Sequence, residues 1–221
     1  MDKKELIIYG IGRFAEYVQY VFDQDSSYTV KAFCIENSLY DAENNQLPLP
    51  LISLDEFLEK YTPSQYTVFV AVGNNEVRTR IFSIFKEYGY SLANYISSKS
   101  RFWPNLELGE NIFVDEGCVL QPFIKLEDNI ILFTSQIGHH SHIGKNSLMS
   151  GAKTGGNVRI GENCYIGLNA SIKQNLTIAD NTIIGMGCIM EKDTNKNEVY
   201  THKGTLKRKI SSIQISSRFL T

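Results

Sequence analysis

From Leu108 onward the chain repeats one short sequence motif, and this repetition constrains its fold more than any other feature. The motif is clearest in Ile160-Gly-Glu-Asn-Cys-Tyr-Ile, and five versions of it begin at Leu108, Leu126, Ile143, Ile160 and Ile178. Their starts lie 18, 17, 17 and 18 residues apart. A fixed period of this length is typical of a solenoid, in which each repeat buries its apolar side chains only by stacking on its neighbours.

A finer repeat of six residues runs inside each period. Aliphatic residues occupy the first position of successive units, and small or apolar residues occupy most of the fifth positions. The first positions from residue 160 are Ile160, Ile166, Ile172, Ile178, Ile184 and Met190, and the fifth positions are Cys164, Ala170, Leu176, Thr182 and Cys188. Three such units make a triangular coil of short parallel strands, and we expect the first and fifth side chains to point inward. Cys118, Cys164 and Cys188 are then core residues.

The repeat is shortened at two neighbouring places, and the histidines follow the first of them. Units 132–136 and 149–153 have five residues instead of six, so their corners should stack. Directly afterwards comes Ile137-Gly-His-His-Ser-His, in which Ile137 and Ser141 take the inward positions. His139, His140 and His142 are therefore predicted to face outward. A solvated corner and a zinc site remain alternatives to a catalytic role, although neither Cys nor a carboxylate accompanies the histidines as a zinc ligand.

The first hundred residues have a different pattern, with apolar strands at residues 6–9, 29–35 and 66–72 and helical periodicity after the first and third. This alternation predicts a Rossmann-like α/β domain with a parallel sheet, whose ligand crevice lies at the carboxyl ends of the strands. The candidate substrate-binding residues at those ends are Gly10, Gly12, Arg13, Glu36, Gly73, Asn74 and Asn75. Gly10 and Gly12 allow a pyrophosphate to bind at the N-terminus of the helix that follows. Equally, they are typical of a tight turn that requires glycine only for its backbone angles.

Composition excludes several classes of protein. The formal charge of −2 and the pI near 6.1 argue against nucleic-acid binding, which needs clustered basic residues. The apolar stretch near the N-terminus is too short for a signal peptide or a membrane span, so no membrane partner and a cytoplasmic location are expected. The four cysteines form no C-x-x-C pair and are expected to be reduced.

The hexapeptide repeats, the segment Gly138-His-His-Ser-His-Ile-Gly and the segment Gly155-Gly-Asn-Val-Arg resemble the hexapeptide-repeat sugar acetyltransferases. The similarity is to the sialic acid O-acetyltransferase and nucleotide-amino-sugar N-acetyltransferase group, the PglD/NeuD-like enzymes. It implies a Rossmann-like domain at residues 1–98, which holds a nucleotide-linked sugar, and a left-handed β-helix with a C-terminal tail at residues 99–221. It also implies a homotrimer that binds acetyl-coenzyme A between neighbouring β-helices, with no metal.

The resemblance assigns roles to particular residues. His139 and His140 are the candidate catalytic residues: the resemblance makes His139 the general base and places His140 where many members of the group have an acidic residue. The partner that orients His139 is therefore expected elsewhere, in a backbone carbonyl or in a carboxylate of another subunit. Apart from the resemblance, the amides of Gly155 and Gly156, one coil beyond His139, are candidate oxyanion donors. These glycines either leave room for the coenzyme's pantetheine arm or, equally, form a corner with unusual backbone angles. Lys207 and Arg208 either meet the coenzyme phosphates or form a solvated basic tail. The implied reaction is acetyl-coenzyme A-dependent N-acetylation of a UDP- or dTDP-linked amino-dideoxyhexose for surface glycan or O-antigen (lipopolysaccharide) biosynthesis. Sugar O-acetylation and a non-catalytic nucleotide-binding scaffold are the alternatives.

Overall fold

The computed structural model describes residues 4–43, 45–207 and 209. Its N-terminal domain is a parallel sheet with strands in the order β3-β2-β1-β4, flanked by helices. The strands are β1 (Lys4–Tyr9), β2 (Tyr28–Ile35), β3 (Leu51–Ser53) and β4 (Tyr66–Val70), and the helices are α1 (Arg13–Asp25), α2 (Leu54–Lys60) and α3 (Asn75–Glu87), with a 3-10 turn at Asn37–Leu39. The predicted α/β domain with a parallel sheet is confirmed. The sequence pattern did not reveal β3 and α2, which are short.

Local signals explain where the helices begin. The side chain of Asn74 accepts a hydrogen bond from the Val77 amide and caps α3, and Ser53 caps α2 in the same way through the Glu56 amide. Helix α1 starts after Gly12 without a side-chain cap. Its N-terminal end follows β1 directly, after the short turn at residues 10–12.

From residue 95 the chain winds into stacked triangular coils, as the six-residue repeat predicts. In chain order, β5 to β21 are Tyr95–Ile96, Glu107–Leu108, Phe113–Val114, Val119–Leu120, Lys125–Leu126, Ile131–Phe133, Gln136–Ile137, His142–Ile143, Leu148–Ser150, Lys153–Thr154, Arg159–Ile160, Tyr165–Ile166, Ser171–Ile172, Thr177–Ile178, Ile183–Ile184, Ile189–Met190 and Val199–Tyr200. They form the sheets β21-β19-β16-β13-β10-β7-β5, β20-β17-β14-β11-β8 and β18-β15-β12-β9-β6. The predicted left-handed β-helix is confirmed.

The predicted inward positions form the core of this β-helix. First-position residues such as Ile166 and Ile178 are fully buried, as are fifth-position residues such as Cys164 and Ala170. The two shortened units also stack as expected, because Phe133 in β10 pairs with Ser150 in β13.

Asparagines in left-handed conformation turn one corner of each coil. Asn111, Asn129 and Asn146 have φ of 56°, 63° and 62°, values that asparagine adopts more readily than most residues. Their side-chain amides form a ladder along the corner, with hydrogen bonds of 2.7 and 2.8 Å.

The two domains share one apolar core. Phe113, Ile131 and Leu148 point outward from the first β-helix sheet and pack against Leu6, Phe22 and Phe69 among other residues of the N-terminal domain. Strand β5 pairs with β7 and so already belongs to the β-helix sheet, just before the predicted boundary at residues 98 and 99, which stays a prediction. No helix within the described ranges has the length and apolar character needed to cross a bilayer.

Candidate active site

His139 lies at the corner between β11 and β12, with its side chain exposed as predicted. Two neighbouring coils fix its backbone. The His139 amide donates to Gln121 Oε1 at 2.9 Å, and its carbonyl accepts from the Asn157 amide at 2.7 Å. The imidazole therefore projects from a rigid corner towards solvent.

The imidazole of His139 is in contact with that of His140. Their Nδ1 atoms are 3.0 Å apart, and the ring planes are nearly perpendicular, at 88°. The residue that supports His139 is thus the adjacent histidine.

His142 takes no part in this pair. Its Nε2 lies 2.9 Å from Glu127 Oε1, on the sheet face beyond the corner. Over the part of the chain that the structure describes, no cluster of three or more His, Cys, Asp or Glu side chains could hold a metal ion.

Gly156 packs directly against the His139 ring. A Cβ atom at Gly156 would lie 2.5 Å from His139 Cε1 and 2.6 Å from Nε2, closer than side-chain contacts allow. Gly155 packs equally tightly, since a Cβ there would lie 2.6 Å from the Gln174 nitrogen. Neither residue is among those with positive φ. Close approach, and not an unusual backbone conformation, is therefore what requires glycine here.

The prediction that both glycine amides are exposed oxyanion donors is wrong for Gly155. Its amide donates to the Ile172 carbonyl at 2.8 Å within the strand ladder. The Gly156 amide, next to the His139 ring, stays a candidate donor.

In the N-terminal domain, Gly12 and Arg13 line an open cavity of about 430 Å³. Its other walls come from Ile11 and Glu16 and from the segment after β2, namely Leu39, Asp41, Asn45, Gln46, Leu47 and Leu51. Sequence reasoning missed this segment because it has no periodicity. Gly10 lies at the edge of the same turn with φ of 129°, where a Cβ would lie 2.7 Å from the Ala71 carbonyl oxygen, so the tight-turn interpretation holds for Gly10.

The remaining predicted crevice residues are engaged elsewhere. Glu36 accepts two hydrogen bonds from the guanidinium of Arg80, at 2.7 and 2.9 Å, and these bonds lower the pKa of its carboxyl group. Gly73 and Asn74 lead into α3 where it meets the β-helix, and Asn75 donates to the Cys164 carbonyl. Asn75 and Arg80 line a second cavity of about 440 Å³ with Asn163 and Asn181 of the β-helix.

Lys207 is exposed and lies in a segment without helix or strand, while Arg208 lies outside the described residues. Two residues that the sequence did not single out do contact the histidine pair: Gln121, described above, and Phe123, on which the His140 ring packs. A signal existed for Gln121, because it lies 18 residues, one coil, before His139.

Comparison with known proteins gives this geometry its context. Residues 5–85 match the family model of the PglD N-terminal domain. The N-terminal domain and the β-helix together also match solved structures along most of their length.

One of these structures is the acetyltransferase domain of PglB from Neisseria gonorrhoeae, 25% identical, with a TM-score of 0.79 over 89% of this chain and 95% of that one. The same domain in complex with acetyl coenzyme A is 24% identical, with a TM-score of 0.76 over 88% and 95%. A histidine-to-asparagine mutant of perosamine N-acetyltransferase from Caulobacter crescentus, in complex with CoA and GDP-perosamine, is 23% identical, with a TM-score of 0.80 over 88% and 92%. These findings confirm the predicted fold, the resemblance to PglD/NeuD-like sugar acetyltransferases and the acyltransferase class.

Proposed function

We propose that this chain transfers the acetyl group of acetyl-coenzyme A to the amino group of a nucleotide-linked amino sugar. The observation that carries the proposal is the His139 imidazole, which is exposed at a β-helix corner, rests on Gly156 and has its Nδ1 paired with His140. When His139 donates this hydrogen bond from Nδ1, its Nε2 keeps the lone pair that can accept a proton. The acetyltransferases with similar structures, one bound to acetyl coenzyme A and one to CoA and GDP-perosamine, support the choice of donor and acceptor.

The chemistry follows from that geometry. The sugar amine attacks the thioester carbonyl in its neutral form, after any ammonium has lost its extra proton to solvent, and His139 Nε2 takes one N–H proton from the attacking nitrogen. A C–N bond forms, and the C–S bond breaks when the tetrahedral intermediate collapses. The proton held by His139 then goes to the departing thiolate, which leaves as the coenzyme thiol. General base catalysis of this kind contributes about 10²–10⁴ in rate.

The Gly156 amide is our candidate for the oxyanion donor. It lies beside the base, and loss of one such donor costs roughly 10²–10³ in kcat elsewhere. Gly156 and its neighbour Gly155 leave room for the pantetheine arm, because neither carries a side chain.

We place the nucleotide at the cavity bordered by Gly12 and Arg13. Gly12, Arg13 and Glu16, at the N-terminal end of α1, line this cavity, and a helix N-terminus attracts phosphate through its unpaired N–H groups and its dipole. The sugar is an amino-dideoxyhexose linked to UDP or dTDP, and the product serves surface glycan or O-antigen assembly.

We propose that the active unit is a homotrimer in the cytoplasm. A trimer brings a second β-helix to the His139 corner, which is open to solvent in the single chain. The four cysteines are unpaired, which is typical of a reducing compartment.

The test is acetyl-coenzyme A turnover, measured as release of free thiol, with UDP-, dTDP- and GDP-linked 3-amino and 4-amino dideoxysugars and with sialic acid. Release with one nucleotide amino sugar, yielding a base-stable amide, is the expected result. Activity on sialic acid alone would replace N-acetylation by O-acetylation, and no release with any acceptor would favour a scaffold.

The role of His139 is tested by His139→Gln. We expect kcat to fall by about 100-fold or more with little change in KM, because the variant lacks the base but retains the backbone conformation of the β11–β12 corner. His202→Gln, in an exposed segment away from the corner, is the matched control and should turn over like the wild type. Equal turnover of the two variants would remove His139 from the mechanism.

A further inference from the structure

The ring of His140 is held in place independently of His139. The residue adopts a left-handed conformation with φ of 56°, and its amide donates to the Pro122 carbonyl at 3.1 Å. Its ring packs on Phe123 with centroids 4.6 Å apart and planes 30° from parallel. A strained backbone together with an aromatic contact therefore points Nδ1 of His140 at its neighbour.

The contact between the two imidazoles restricts their protons to two arrangements. A hydrogen bond between two Nδ1 atoms 3.0 Å apart holds one proton, so one ring donates and the other accepts. If His140 donates, His139 carries its own proton on Nε2 and cannot act as a base. If His139 donates from Nδ1, its Nε2 keeps a lone pair, and His140 carries its proton on Nε2.

We propose that His140 is the positioning residue for His139: its unprotonated Nδ1 accepts the Nδ1 proton of His139 and so fixes the tautomer and the ring orientation of the base. The choice between the two tautomers rests on the proposed function, since only one of them supplies a base at Nε2. The support for the base is thus a neutral imidazole and not a carboxylate.

This arrangement also operates after the base has been protonated. When His139 takes the substrate proton on Nε2, its Nδ1 proton stays in the hydrogen bond to His140. The positive ring keeps its orientation until Nε2 returns the proton to the leaving thiolate. His140 touches neither the substrate nor the reacting atoms in this scheme.

Two substitutions separate this role from a structural one. In His140→Asn, Oδ1 takes the place of Nδ1 on the same Cγ and remains an acceptor, and asparagine suits the left-handed backbone. In His140→Phe, the aromatic contact with Phe123 remains but the acceptor is lost. Phe123 itself has φ of 63°, so this conformation accommodates phenylalanine at the same corner of the preceding coil.

The first readout does not depend on activity. Nitrogen-15 NMR of histidine-labelled protein at mildly alkaline pH, where imidazoles are neutral, reports which ring nitrogen carries the proton. We expect His139 protonated on Nδ1 and His140 on Nε2 in the wild type, and loss of the fixed His139 tautomer in His140→Phe. The opposite pair of tautomers, or averaged signals from both rings, would overturn the proposal.

The second readout is kinetic and uses the acceptor found in the turnover panel. We expect His140→Phe to lower kcat about 10- to 100-fold with KM little changed, the range seen when an outer partner of a functional histidine is removed. His140→Asn should recover most of the lost kcat, and thermal melting should show that both variants fold. Wild-type kcat in the folded His140→Phe variant would refute the positioning role, whereas absence of turnover in the wild type would refute the proposed function and leave the NMR result standing.

Discussion

At the scale of single residues, Gly156 has the clearest structural requirement in the candidate active site. The His139 ring occupies the space that any side chain at position 156 would need. Even a methyl group must therefore push the imidazole away from Gly156 or displace the strand.

We expect Gly156→Ala to lower kcat by about 10²-fold, because misplacement of a catalytic group by about 1 Å has an effect of that size. The measurement is steady-state thiol release, with circular dichroism to show that the β-helix remains. Gly204→Ala is the control, since a Cβ at Gly204 would have no atom within 4 Å. A Gly156→Ala variant as active as Gly204→Ala would mean that His139 can work in another orientation.

At the scale of secondary structure, helix α3 attaches the N-terminal domain to the β-helix through one buried arginine. Arg78 is fully buried and forms no ion pair among the described residues. Burial lowers its pKa to about 10. Its guanidinium donates to three acceptors in and around α3 and to two carbonyls of the asparagine corner, namely Val72 O, Gly73 O, Asn75 Oδ1, Asn129 O and Asn146 O.

Arg78→Met should lower the free energy of unfolding by about 3 kcal/mol or more, because it leaves several buried carbonyls without a donor. Urea denaturation at one fixed protein concentration measures this change. Arg80→Met, two residues further along α3, is the control: the Arg80–Glu36 pair is partly exposed and should contribute no more than about 1 kcal/mol. Equal losses in the two variants would show that Arg78 does not join the domains.

The difference between local patterns and contacts of distant residues explains what could be predicted from the sequence. The inward positions of the coils and the outward histidines follow from a local period, so they were predicted correctly down to Ile166 and Ser141. The role of Arg78 depends on carbonyls 51 and 68 residues further along the chain, and no local pattern encodes such contacts. The contact between His139 and His140 was hidden for a different reason: it requires the left-handed conformation of His140, which asparagine usually provides at these corners.

At the scale of the whole molecule, the shared core suggests that the two domains unfold together. Phe113 of the β-helix stacks on Tyr95 and makes edge contacts with Phe14 and Phe69 of the N-terminal domain. Such aromatic clusters bury much apolar area and add specific contacts to it. Separating the domains would expose this cluster as well as Arg78.

Buried cysteines in each domain allow a direct test. Cys34 lies in the N-terminal sheet and Cys164 in the β-helix, and both are fully buried. Burial raises the pKa of both thiols, that of Cys164 to about 11, so neither should react with a thiol reagent in the native state. Brief labelling across a urea series, read by peptide mass spectrometry, therefore reports the opening of each domain separately.

We expect the labelling midpoints of Cys34 and Cys164 to coincide in the wild type, as they must for a single cooperative transition. Phe113→Ala should lower both midpoints by the same amount, since removal of a buried phenylalanine costs about 3–5 kcal/mol and this ring belongs to both domains. If the domains were independent units, the variant would lower the Cys164 midpoint and leave that of Cys34 in place. Joint unfolding would also mean that the proposed nucleotide cavity and the His139 corner belong to one cooperative unit, so that a destabilising change in either domain lowers the stability of both.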